Sequence, residues 1–259
     1  MGTEEKYNKK LLAFFIVFFI IIAFLGVYGA EHYNAHDETV ELEQYCKISG
    51  SDLIKDNSST YVYYITWAGS PTGDAGSWAV YDFMHHNNYD ISQNSSQLNL
   101  SQSMSNYEYN NTPGIVFNGT ENYSGHYGKI YTIVVPVYLY GENLTSNTTI
   151  SSGLTALKAD VPASIYNEVK AYTTEAIVDG LSIPSDNISA IPHINSVTLI
   201  TGPAGTYILN GYIVDPSDFL SGTTPMTPAT VLNDVNDNKN DGGIKTGMEG
   251  LQSIIGDAT

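Results

Sequence analysis

Apolar positions fall into distinct rhythms along the chain. Residues 11–30, LLAFFIVFFIIIAFLGVYGA, are apolar and uncharged throughout. As a helix this run would reach roughly 30 Å, the hydrocarbon thickness of a bilayer. Residues 31–47 continue without a breaker as a polar stalk, and 48–60 read as a linker containing Gly50. Residues 61–67, YVYYITW, are β-branched and aromatic, the composition of a buried strand. Gly69-Ser70-Pro71-Thr72-Gly73 interrupts them, and a helix carrying Trp78, Val80, Tyr81 and Met84 is predicted next, capped by Asp74 or Ser77. Residues 91–112 read as loop and 114–118 as a short strand.

Residues 129–140, KIYTIVVPVYLY, predict a second strong strand, with Pro136 marking an edge or a bulge. Between 154 and 180 the apolar spacing turns helical, with Ile165, Val169, Tyr172 and Ala176 near one face and Gly180 as terminator. Residues 197–201 and 206–214 predict a hairpin about Gly202-Pro203-Ala204-Gly205. A short helix at 228–235 and a polar break at 236–243 precede Ile244, Met248, Leu251 and Ile255, which have the spacing of a closing helix. The pattern predicts an α/β chain: a central sheet with flanking helices, preceded by a single N-terminal transmembrane helix. Its divisions would be 1–10 cytoplasmic, 11–30 transmembrane, 31–60 stalk and linker, and 61–259 an extracytoplasmic domain with a helical insertion near 154–180.

Charge sets the orientation and narrows the partners. Lys6, Lys9 and Lys10 precede the apolar run, which places the N-terminus in the cytoplasm and the rest outside. Val27-x-Gly29 offers a signal-peptide cleavage site as the alternative, although the run is longer than a usual signal core. The chain has 10 lysines, no arginine and 27 acidic residues, a net charge of −17. A phosphate-binding groove has no obvious donors here, so nucleic acid is not an expected partner. The one cysteine, Cys46, cannot form an internal disulfide.

His32 and His36, near Asp37 and Cys46, have helical spacing but no firm third ligand, so no metal is expected. His85 and His86 suit a helix C-terminus, where a cation favours the dipole. The 236–243 stretch lacks the spaced acids and final glutamate of a calcium loop and reads as a turn. No cofactor is expected.

The stretch Trp67-Ala68-Gly69-Ser70-Pro71-Thr72-Gly73, followed by Ala75-Gly76-Ser77-Trp78-Ala79, resembles the redox turn of membrane-anchored, thioredoxin-like proteins of thermoacidophilic archaea, the family of domain of unknown function 929. Members read as aromatic-x-Gly-Cys-Pro-x-Cys or Gly, then Ala-x-x-Ser-Trp-Ala. A loose Thr-Pro-aromatic match at Thr112, Pro113 and Phe117, the 134–140 strand and the final hairpin extend the likeness. The resemblance implies a thioredoxin-like sheet, with Ser70, Pro71, Thr72 and Gly73 as vestigial redox-turn positions. It also implies a cis-proline before the hairpin, for which Pro192 is the candidate. Ser70 and Gly73 replace the two cysteines, and a hydroxyl cannot substitute for a thiolate in disulfide exchange at ordinary pH. His193, beside Pro192, reads as structural.

Asn-x-Ser/Thr occurs at Asn57, Asn94, Asn99, Asn110, Asn118, Asn122, Asn143, Asn147 and Asn187, all on the expected outer side, which fits N-glycans. The expected function is that of a non-enzymatic, redox-inactive interaction or accessory subunit of a membrane or cell-envelope complex. One alternative is a thiol–disulfide enzyme that relies on partner cysteines, with Ser70 holding substrate. A hydrolase has less support, because Gly69-Ser70-Pro71 is not a nucleophile elbow. A second alternative is a pilin-like filament subunit, disfavoured because Lys10 meets Leu11 with no small residue between them.

Overall fold

The computed structural model describes residues 39–89, 91, 99–103, 109–145, 148–220, 226–239 and 242–259. Its centre is β3 (Ser59–Thr66), which pairs in parallel with β7 (Ile130–Tyr138) and antiparallel with β9 (Val197–Gly202). Outward from β9 come β10 (Gly205–Asn210) and β2 (Tyr45–Ser49); outward from β7 comes β6 (Tyr123–Tyr127). The six-stranded order is β2-β10-β9-β3-β7-β6. Two small pairs flank it: β1 (Thr39–Val40) with β8 (Ile177–Val178), and β4 (Asn99–Gln102) with β5 (Pro113–Val116).

Both faces of this sheet are covered, which is why β3 reads as an unbroken apolar run rather than an alternating one. Val62 and Tyr64 enter one core and Tyr63 and Ile65 the other, as period two requires. On the first face lie α1 (Pro71–His86), α4 (Pro228–Asn236) and α5 (Gly243–Asp257), packed with the β4–β5 pair around Trp78, Phe83, Ile115 and Leu251. On the second lie α2 (Ile150–Asp160) and α3 (Ala163–Lys170), with Leu157, Ile165 and Val169 against Leu199 and Ile208. The helical pattern predicted between 154 and 180 divides into α2 and α3 and ends early: Ala171–Glu175 widens into a π-turn, and Ile177–Val178 leaves as strand β8.

Several expectations need correction. The 31–60 stretch expected as stalk and linker supplies the sheet's outer strand β2, whose Cys46 sits opposite Ile208. The loop expected over 91–112 contains β4. Pro136 is not on an edge strand, yet its effect is the same. Strand β6 stops at the Tyr123–Val134 pairing, so beyond it β7 has β3 as its sheet neighbour and Pro136 withholds no bond from β6.

The expected transmembrane segment at 11–30 and His32 and His36 lie outside the described residues. Among the described residues, no helix is long and apolar enough to cross a membrane.

Candidate functional site

The turn after β3 is built by local chemistry. Ser70 has an extended backbone (φ −72°, ψ 122°), and its hydroxyl accepts the Gly73 N–H at 3.0 Å. Ser70 is therefore the N-cap of α1, in place of the expected Asp74 or Ser77, and Pro71 occupies the first helical position, where no N–H is needed. Gly73 suits the space: a Cβ there would overlap the Thr66 hydroxyl, and the Thr66 side chain would have to shift. The Tyr64 hydroxyl donates to the Gly73 carbonyl and fixes the turn from beneath.

Four hydroxyls converge at this helix end. Ser196 Oγ lies 2.7 Å from Thr66 Oγ1, 2.9 Å from Thr72 Oγ1 and 3.3 Å from Ser70 Oγ. Ser70 Oγ and Thr72 Oγ1 are 2.8 Å apart. Ser70 and Ser196 are buried, while Pro71 and Thr72 are half-buried at the mouth.

Ser196 is the residue sequence reasoning missed. It directly precedes β9, and the antiparallel β3–β9 register carries it to the end of β3, against the turn. Pro192, the expected cis-proline, is exposed in the approach to β9, and among the described residues there is no cis peptide bond.

The neighbouring ionisable groups give Ser70 no base. His193 is buried against Trp67 and Tyr140, with Nδ1 2.7 Å from the Ile191 carbonyl, and its burial lowers the imidazole pKa. Cys46 is separated from β3 by β10 and β9. Among the described residues no group of three or more His, Cys, Asp or Glu side chains is placed to hold a metal ion.

One turn into α1, Asp74 is 3 % exposed. Ser101 Oγ donates to its Oδ1 at 2.7 Å, while Oδ2 is buried without a partner. Burial pushes its pKa up to about 8, so the carboxyl is largely protonated at neutral pH. Around it the β4–β5 pair is pinned to α1. The Trp78 indole N–H donates to the Pro113 carbonyl, and the Ile115 N–H donates to Ser77 Oγ, both at 2.8 Å. At the far end of α1, His86 Nδ1 lies 2.7 Å from the buried Asp82 carboxylate; burial lowers the imidazole pKa, but the Asp82 backbone carbonyl, the Asp82 carboxylate and Asn238 together raise it.

Two clefts flank the turn. One, of about 370 Å³, is lined by Ala68 and Gly69 together with β4, Val116 and Glu142. The other, of about 400 Å³, takes in Thr72 and Asn195 and is walled by Glu43, Tyr109, Tyr212 and Asp215. Of the sequon asparagines, Asn57, Asn99, Asn110, Asn122, Asn143 and Asn187 are exposed and Asn118 is half-buried. Asn94 and Asn147 lie outside the described residues.

A family model described as a domain of unknown function (DUF929) matches residues 44–257, and the chain belongs to that family. No curated protein and no solved structure matches the chain.

Proposed function

We propose that this DUF929 member is a membrane-anchored, extracytoplasmic, thioredoxin-like protein that performs no thiol chemistry and acts as an interaction or accessory subunit of a membrane or cell-envelope complex. The carrying observation is the hydroxyl cluster. Ser70 Oγ, at the position of an attacking thiol, caps α1 and contacts two other hydroxyls, and no imidazole or carboxylate is among these partners. An uncharged hydroxyl so engaged is a structural group rather than a nucleophile. The thioredoxin-like reading is supported by the order of parts: strand, capped turn, helix, parallel strand, then an antiparallel hairpin returning beside the first strand. With the turn chemically inert, the 400 Å³ cleft beside Thr72 and Asn195 is the surface suited to hold a partner segment. Archaeal N-glycans on the exposed sequons fit the same outward-facing domain.

Purification of the full-length chain from native membranes in mild detergent, with a photo-cross-linking residue at Thr72, tests the reading. The expected result is a stoichiometric membrane or envelope protein cross-linked through the cleft. A chain that migrates alone and cross-links to nothing would overturn it.

A further inference from the structure

The 400 Å³ cleft is chemically one-sided. Its charged lining groups are Glu43 and Asp215, with no lysine or histidine among the lining residues. Tyr212 donates to Glu43, and its phenol pKa is raised by burial, by that bond and by both carboxylates, so it stays a neutral ring. Tyr109 is close enough to add to that effect, and it is exposed at the rim together with Ile188. The backbone of the exposed Glu43 is held. It is left-handed (φ 63°), its N–H donates to the Asn210 carbonyl at 2.9 Å, and Gly211 lies against it with φ 122°. Asp215 is likewise held, with its carboxylate accepting the Ser217 N–H at 2.8 Å. Two carboxylates, two phenol rings and an aliphatic rim, in a chain of net charge −17, have the chemistry to receive a cation on an aliphatic stem.

Resting on the interaction reading above, we propose that this cleft binds a lysine- or arginine-bearing extended segment of the partner protein. The cationic head would lie between Glu43 and Asp215 over the tyrosine rings, with the stem against Ile188 and Leu42. The Ser70 cap takes the Gly73 N–H and Pro71 has none to offer, and α1 contributes the half-buried Thr72 to the cleft lining. Charge complementarity excludes acidic segments.

The test uses the full-length chain in detergent micelles and three fluorescent peptides of equal length, alternating alanine with lysine, with glutamine or with glutamate. Polarisation should show binding of the lysine peptide alone, weakening with added salt. The double variant Glu43→Gln, Asp215→Asn should weaken binding about tenfold or more, a loss of two cation–carboxylate contacts. Asparagine still caps the 216–219 turn, and unchanged circular dichroism would confirm an intact fold. Asp160→Asn, at the exposed end of α2, should change nothing. Equal loss in Asp160→Asn would reduce the effect to bulk charge and overturn the proposal. Equal binding of the glutamine peptide would also overturn it while leaving the interaction reading standing. Binding of no peptide, combined with a cross-linked native partner, would again refute the cation and spare the interaction. Binding of no peptide with no cross-linked partner would refute both.

Discussion

Asp74 makes the stability of this fold depend on pH in a predictable direction. Its folded pKa is about 8, against an unfolded value of 3.8. Across that window the folded chain keeps a proton that the unfolded chain has released, so the contribution is full below pH 3.8 and is lost as pH rises towards 8. Each pH unit removes roughly 1.4 kcal/mol, and the whole window is worth on the order of 5 kcal/mol. In Asp74→Asn the amide oxygen still accepts from Ser101, but the amide N–H groups occupy the place of unpartnered Oδ2. The protonated carboxyl likewise leaves its Oδ2 proton unpartnered, so the two chains differ little in acid. Wild type should therefore lose stability relative to the variant as pH rises, and the variant should be the more stable near pH 8. Urea unfolding of the full-length chain, followed by the fluorescence of buried Trp67 and Trp78, measures both curves. Groups common to both chains cancel in the difference. A difference that stays constant from pH 4 to pH 8 would refute the assignment of a buried, proton-holding Asp74.

Other outcomes follow from the same geometry. Ser70→Ala removes the N-cap of α1 and should cost roughly 0.5–2 kcal/mol by urea unfolding, without affecting any thiol-exchange assay. Gly73→Cys drives a side chain into Thr66 and should destabilise by roughly 1–3 kcal/mol, part of which Thr66→Ala recovers. For His86 the raised pKa means that its bond to Asp82 stabilises below the ordinary histidine value and is lost as pH rises through the folded one. The excess stability of wild type over His86→Gln should therefore shrink from acid to alkaline pH in thermal melts.

What the sequence revealed, and what it hid, divides along the range of the forces involved. β3, the β9–β10 hairpin and α5 were legible because each has its own period or turn chemistry: the 61–67 aromatic run, the 202–205 turn, and the three- and four-residue spacings of Met248, Leu251 and Ile255. β4 was hidden because its pairing with β5 rests on backbone bonds in a polar stretch, with Leu100 exposed. β2 looked like stalk because an outer strand that is half-buried needs no alternation.

Within the site, the turn and its missing thiols were legible, but its partners were not. Pro71 read as a breaker, whereas it is the first residue of a helix whose cap is Ser70. Ser196 carries no local signal; a sheet register puts it beside residues more than 120 positions earlier, Ser70 and Thr72. Asp74 looked like an ordinary helix-start carboxylate, and its burial comes from the distant β4–β5 pair.

Thr66 also governs which sequences lie one substitution away from this one. Its hydroxyl fills the space that a side chain at 73 would enter, and the same hydroxyl anchors Ser196. Exchange of Ser70 for cysteine changes one atom but weakens a buried cap, and a second cysteine at 73 meets the Thr66 side chain until position 66 has changed. A change at 66 by itself loses a bond and brings nothing in return. The path from this turn to a dithiol thus passes through a less stable intermediate in either order. The cost of a side chain at 73 therefore depends on which residue stands at 66, and the two positions are epistatic in this turn.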